Sequence, residues 1–430
     1  METKDTLNTE IETIRLLSHY VNRNKKVENI QKRTVCGAPK GHMGYSRPKP
    51  LRIDCIKTLE VNNCQNCMTV IGGNLQEIRT RYVTDIKIYH KAKNTRYNIQ
   101  RKYCKNCKKI IEPRITTALG SARFGLNIMH LTIYLKMALK ISWGNVRDYM
   151  RDLHYVSMSV ATPLLFMKSI ARENESVYNS IKKKMLARKV IYTDETRWPM
   201  KGEKWWVWSF SSDTESIFLL CKNRSHKIAA EFLKDYRGVL VCDFYSAYEK
   251  IKCKQQKCII HLLREFQKQL KVAPYDTELR EMINSFLAII RPVIYELKEV
   301  TPNYGLIKLQ KKEVRSKIKK LIKKEYISKS ANTFKKRFKK HLESIIRFMS
   351  NPEHIGWNNN KAERDLRPLC IQRNISGSFC SEQASKSYLL LFSIYQTCER
   401  RDIHFLKFLH SGRNKLPETP IQCLAKRINN

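Results

Sequence analysis

Three acidic side chains stand where they could hold a divalent cation. Asp194 follows the apolar run Val190-Ile191-Tyr192-Thr193, and Asp243 follows a second, Val239-Leu240-Val241-Cys242. Each run predicts a buried strand with the carboxylate at its C-terminal end, where it is held stiffly and points out of the sheet. Glu363 lies in Trp357-Asn358-Asn359-Asn360-Lys361-Ala362-Glu363-Arg364, which predicts the start of a helix. Three oxygen donors brought together can hold one or two divalent ions. The chain has 82 Lys and Arg against 39 Asp and Glu, a formal net charge of +43. So large an excess repels itself unless a polyanion is present, which points to metal-assisted phosphoryl transfer on nucleic acid.

Other residues near these acids carry alternatives. Asp194 and Glu195 are neighbours on an extended strand and face opposite ways, so Asp194 is expected at the site and Glu195 in a salt bridge. Asp243 could instead cap the turn that follows it. Asn360 and Glu363 have the spacing of a capping box, which by itself leaves Glu363 open between cap and ligand. Arg364 and Arg367 adjoin Glu363 on the helix and would bind phosphate or neutralise the acids. Cys258 and His261 form a C-x-x-H; a buried histidine is commonly a core residue, but this one is expected beside the strand end that carries Asp243.

A second constellation is built from sulfur. Cys64-Gln65-Asn66-Cys67 and Cys104-Lys105-Asn106-Cys107 are two C-x-x-C turns. Together Cys64, Cys67, Cys104 and Cys107 complete a tetrahedral site, which predicts structural zinc with no position left for water. Val83 to Tyr97 alternates loosely, as ribbon strands would. Cys36 and Cys55 are spare thiols, and in a chain expected to be intracellular, thiols or metal ligands are favoured over disulfides.

The scaffold divides along the chain. Residues 1–50 read as a short helix and basic linker, 51–115 as a zinc-ribbon-like module, and 116–187 as helical. Within the last, Asn145–Leu153, a break at His154-Tyr155-Val156, and a helix from Ser157 or Ser159 outline a helix-turn-helix or an ordinary helical hairpin. Residues 188–270 hold three strands, a helix (Lys227 to Tyr236), a strand, and a fifth strand Lys257-Cys258-Ile259-Ile260. That order predicts an α/β, ribonuclease-H-like mixed sheet in which the first and fourth strands are neighbours, so Asp194 and Asp243 converge. The tryptophans at 205, 206 and 208 are expected in the core or, as a minority reading, stacked on bases. A basic helical insertion follows at 271–350, then 351–412 with the Glu363 helix, and a tail at 413–430. Lys308 to Lys340 carries fifteen Lys and Arg against two Glu; Ile307, Val314, Ile318 and Leu321 give it an apolar face, leaving the charge for solvent or a DNA backbone. Lys136 and Lys140 interrupt the most apolar stretch, so no membrane span is expected.

Four segments resemble the transposases of the insertion sequence 66 family, within the DDE group. They are Thr193-Asp194-Glu195-Thr196-Arg197-Trp198, Cys242-Asp243-Phe244-Tyr245-Ser246-Ala247-Tyr248, Cys258-Ile259-Ile260-His261, and Asn358 to Pro368 with its Asn-Asn-x-x-Glu-Arg-x-Leu-Arg-Pro pattern. The similarity covers about 188–412 well and the cysteine module more loosely; the N-terminus is shorter than in many relatives. The resemblance implies that Asp194, Asp243 and Glu363 bind Mg2+ (or Mn2+), with His261 in a motif close by. It implies nicking at the element's ends, then attack of the freed 3′-hydroxyl on target DNA, by a nucleoid-associated, cytoplasmic protein that assembles as a homo-oligomer on DNA, with helper proteins in some elements. A ribonuclease-H-like nuclease without strand transfer and a transposase-derived DNA-binding regulator are the competing readings.

Overall fold

Helical periodicity gives way to strand periodicity near Arg188 and returns after Lys257, and the three-dimensional elements follow that order. The computed structural model describes residues 53, 92–96, 98, 115–119, 122–376, 379 and 381–417, with backbone alone for 102–104 and 109–111. Residues described from 93 onward belong to one compact unit, and the other, Lys25–Ala92, is described only at Ile53 and Ala92. The N-terminal helix, the linker, Cys36, Cys55, Cys64, Cys67, Cys107 and the end of the tail lie outside the described residues, as does the side chain of Cys104.

A short hairpin comes first: β1 (Lys102–Cys104) pairs antiparallel with β2 (Lys109–Ile111), Cys104 opposite Lys109. The ribbon strands predicted over 83–97 do not include 92–96, which carry no strand. Four helices follow: α1 (Leu126–Met137), α2 (Trp143–His154), α3 (Thr162–Glu173) and α4 (Glu175–Leu186). Tyr155 ends α2 in the left-handed region, at φ 55°. The next helix begins at Thr162 rather than at Ser157 or Ser159, because Pro163 takes a first-turn position where its missing N–H costs nothing. The link, residues 155–161, is longer than the roughly three- or four-residue turn of a helix-turn-helix.

The sheet is built from β3 (Val190–Met200), β4 (Glu203–Ser211), β5 (Ser216–Cys221), β6 (Val239–Cys242) and β7 (Lys254–Lys257), with α5 (Lys227–Phe232) before β6 and α6 (Ser246–Glu249) before β7. Its order is β5-β4-β3-β6-β7; β3, β4 and β5 run antiparallel, while β6 is parallel to β3 and β7 to β6. The predicted neighbourhood of first and fourth strands is therefore observed. The fifth strand is not where the sequence reading put it. It is the polar run Lys254–Lys257, and the apolar residues after Cys258 open a helix. Ile259, Leu262, Leu263, Phe266 and Leu270 are buried at helical spacing, and a four-residue apolar run cannot by itself distinguish that from a strand. The helix predicted to reach Tyr236 ends at Phe232.

The remaining elements are α7 (Ile259–Val272), α8 (Thr277–Glu296), α9 (Tyr304–Lys323), α10 (Lys329–Ile345), α11 (Asn360–Ser376), α12 (Glu382–Arg400) and α13 (Phe405–His410). Successive residues of β3 serve opposite cores. Val190 and Tyr192 pack with Val241 and the apolar faces of α7 to α10, including Ile307, Val314 and Ile318; Ile191 packs with Leu240, Cys242 and residues of α1, α3, α4 and α12. The sheet thus lies between two helical layers, as its parallel half requires. Trp205 and Trp208, with Trp198, are buried in the second core as the core reading requires, whereas Trp206 stays half-buried outside it.

Both sheet edges are covered. At β5 the N–H groups of Ser216 and Phe218 donate to Thr397 Oγ1 at 3.2 Å and Ser393 Oγ at 3.0 Å on α12. At β7 Arg347 Nε donates to the Gln255 carbonyl at 2.8 Å, and the Phe348 N–H to Gln256 Oε1 at 2.7 Å. The bonds to the Ser216 and Phe218 N–H groups and to the Gln255 carbonyl occupy backbone positions that would otherwise recruit another strand.

Candidate active site

Tyr192 and Val241 face one another across the parallel ladder, and two residues further along each chain stand Asp194 and Asp243. Asp194 does not end its strand. β3 continues to Met200, opposite Glu203 of β4; what ends just before Asp194 is the ladder to β6, whose last pair is Tyr192 with Val241. The aspartate keeps the stiffness of a strand residue where the sheet has lost a neighbour. Asp243 leaves β6 directly: its Oδ1 accepts from the Tyr245 N–H at 2.9 Å, and its carbonyl accepts from Lys257 Nζ at 2.9 Å. The turn-capping role foreseen for Asp243 is thus present and uses one carboxylate oxygen.

Glu363 reaches the same region because the chain before α11 is pinned to both strands' surroundings. The Asn359 amide donates to the Thr193 carbonyl at 2.7 Å, immediately before Asp194. The Asn359 N–H donates to Cys258 Sγ at 3.3 Å, and the Ile259 N–H to the Trp357 carbonyl at 3.0 Å. Gly356 donates its N–H to the Tyr192 hydroxyl at 3.0 Å, and a Cβ there would come within 2.7 Å of that oxygen, so a side chain would push this segment away. The predicted capping box does not form: α11 starts at Asn360, whose N–H donates to Asn358 Oδ1 at 3.1 Å. The Glu363 carboxylate instead lies 3.5 Å from Arg264 Nη1 and 3.7 Å from His261 Nε2.

The electrostatics join these elements. Burial pushes the Asp194 carboxyl well above the usual range; Glu195, Asp243 and Glu363 add to the effect, against a 3.0 Å hydrogen bond from the Glu195 N–H. Burial also lowers the His261 pKa, partly offset by Glu363 and Asp243, so the imidazole is held neutral. Its Nδ1 is buried with no hydrogen-bond partner. Cys258, packed among N–H groups at the start of α7, is pushed up to about 12 by burial and is an inert thiol.

Glu195 takes the expected salt bridge. Arg224 donates to its Oε1 from Nε at 2.8 Å and from Nη2 at 2.5 Å, and the Tyr248 hydroxyl donates to Oε2. The Arg224 guanidinium also stacks on Tyr245 at 4.0 Å and Trp206 at 4.9 Å. Arg364 and Arg367 are exposed, Arg364 Nε reaching only the Asn360 carbonyl at 3.4 Å. Arg264 is the arginine beside Glu363. It sits one turn after His261 on α7, a relation visible only once the helix is known to start at Ile259. Arg224 and Lys257 carry no signal in the order of residues, since each meets the acids through tertiary packing.

Among the described residues no group of three or more His, Cys, Asp or Glu is gathered closely enough to form a ready metal shell. The donor set still suits Mg2+. That ion keeps several waters and takes only one or two carboxylates along with substrate phosphates, so a spread trio sharing one field serves where a closed cage is not needed. No helix among the described residues is long and apolar enough to cross a membrane.

Compared with known families, residues 122–387 match the model of the IS66 transposase family. The chain belongs to that family. No curated protein matches it at a significant level. The matched span of this transposase runs from the first helices through Asp194, Asp243 and Glu363 into α12, so the residues gathered above all lie within it. Membership makes DNA its partner and a divalent cation its expected cofactor.

Proposed function

We propose that this transposase is a DDE enzyme with a ribonuclease-H-like catalytic sheet, cutting DNA at the ends of its element and joining the freed 3′-hydroxyl to target DNA. Asp194, Asp243 and Glu363 would hold Mg2+ or Mn2+. The supporting observation is the Asp194 carboxyl, buried beside the end of the parallel ladder in the combined field of Glu195, Asp243 and Glu363. A buried carboxyl crowded by other acids, with no cation of its own, is a costly arrangement, and such sites are where function is found. When bound, the cations would lower the pKa of an attacking hydroxyl and stabilise the leaving oxygen. The chain's part is positional. Asn359 and Gly356 hold the Glu363 helix against β3, Lys257 holds the exit of β6, and Arg224 occupies Glu195 so that Asp194 alone serves the site. His261 and Arg264 fix the Glu363 carboxylate.

The strand order β5-β4-β3-β6-β7 supports the ribonuclease-H-like assignment. Structural zinc is the reading that the sequence spacing of the pairs Cys64 with Cys67 and Cys104 with Cys107 supports. The test is Asp243→Asn in a cleavage and strand-transfer assay on DNA carrying the element's ends. Both steps should be lost while DNA binding is kept. Cleavage without joining in the unmodified protein would favour the nuclease reading, and full activity in the variant would refute the metal assignment.

A further inference from the structure

A cleft of about 760 Å3 opens between the β7 edge and α10, and its walls carry the cations Lys252, Lys254, Lys340 and Arg347. Glu249 is the acid lining it, and it is already engaged by Lys340 at 2.6 Å and His341 at 3.3 Å. Lys252 and Lys254 are exposed and form no ion pair among the described residues. Arg347 is anchored by its Nε to the Gln255 carbonyl, so its charge is held in place.

A basic wall on so basic a chain could be mere solvated surface. What sets this cleft apart lies behind it. Lys257 is 1% exposed, and its ammonium bonds a carbonyl and a thiol, Asp243 O at 2.9 Å and Cys242 Sγ at 3.4 Å, rather than a carboxylate. A buried cation without a carboxylate partner projects a potential that water screens weakly. Burial, and after it Lys257, lowers the His341 pKa to about 4, so this imidazole adds no charge to the wall. His341 also packs edge-on to Phe244, ring centroids 5.5 Å apart, so the cleft adjoins the segment that carries Asp243.

We propose that this cleft binds the phosphodiester backbone of the DNA on which the transposase acts. The proposal rests on the DNA-acting reading, but not on the metal assignment. Phosphate contacts of this kind position DNA without reading its sequence, so the cleft would steady a duplex whose reacting phosphate lies at the acids.

The test is a salt titration of duplex binding by fluorescence anisotropy, in EDTA so that no cleavage occurs. The double variant Lys252→Gln/Lys254→Gln is compared with Lys183→Gln/Lys201→Gln, which removes the same charge from two exposed lysines elsewhere. Each phosphate contact contributes about 0.9 to the slope of log affinity against log salt. The cleft variant should therefore lose about 1.8 from that slope and bind roughly tenfold more weakly at low salt, with the control pair near the unmodified protein. Equal losses in both pairs, or an unchanged slope in the cleft pair, would overturn the proposal. Full activity of Asp243→Asn would defeat the metal reading and leave this result standing.

Discussion

Two groups of buried carboxylates sit on one sheet and are treated in opposite ways. Glu215, before β5, is fully buried and bonded by Arg188 at 2.6 Å, Arg401 at 2.7 Å, Ser212 at 2.6 Å and Thr214 at 2.9 Å. Burial alone would raise its pKa, yet Arg188, Ser212 and Thr214 outweigh that and bring it down to about 2. Asp365 is matched similarly by Ser211 at 2.5 Å, Ser216 at 2.6 Å and Arg400 at 2.6 Å. Asp194, four residues into β3, is pushed the other way, its surroundings being burial and three more carboxylates. The fold neutralises Glu215 and Asp365, which hold α11 and α12 to β5; beside the end of the β3–β6 ladder Glu195 has Arg224 and Glu363 has Arg264, but among the described residues no cation pairs with Asp194. Burial by itself therefore does not mark the site; the missing counter-charge does.

The contrast can be broken in order of expected effect. Asp243→Asn should reduce cleavage at least ~1000-fold, the equivalent of the several kcal/mol a metal supplies, with little change in unfolding free energy. Arg401→Met should do the reverse. Arg188, Ser212 and Thr214 still hold Glu215, so losing this charged hydrogen bond should cost roughly 1.5–3 kcal/mol, read by denaturant unfolding, while cleavage per folded molecule stays near normal. If both variants lose activity and stability together, the two groups are not separable.

Smaller effects sharpen the distinction. Asp194 has a raised folded pKa, so the stability linked to its proton is present in acid and lost as pH rises through that value. At neutral pH and without divalent cations Asp194→Asn should accordingly be more stable, by roughly 1–3 kcal/mol, the usual cost of an uncompensated buried polar group. A lower melting temperature in EDTA would contradict this. Glu215 has the opposite sign: its contribution is present above its ordinary value of 4.5 and is lost as pH falls through about 2. Glu215→Gln should flatten that acid limb in a pH series of unfolding curves, and an unaltered limb would assign acid unfolding to other groups.

Much of the sheet that carries the candidate site was legible because its signals are local. Val190–Thr193 and Val239–Cys242 are apolar runs with only one sensible place in a sheet, and the period of two separates Asp194 from Glu195. The apolar face of α9 was legible from its helical spacing. Misreadings arose where one pattern serves two structures. Cys258–Ile260 suits a strand or a buried helix, Ser157 and Ser159 suit several helix starts, and Asn360 with Glu363 suits a cap that tertiary contacts to His261 and Arg264 displaced.

The sequence by itself determined which acids, which strands and which basic helices this transposase has, since composition and periodicity act within a few residues of chain. Only the tertiary structure decided what stands opposite each charge. Arg224 reaches Glu195 and Arg400 reaches Asp365 across the fold, while Lys257 lies buried behind Asp243 without a carboxylate. Such partners come from distant elements, and Coulomb interactions depend on distance in space and on burial, neither of which is written in the order of residues.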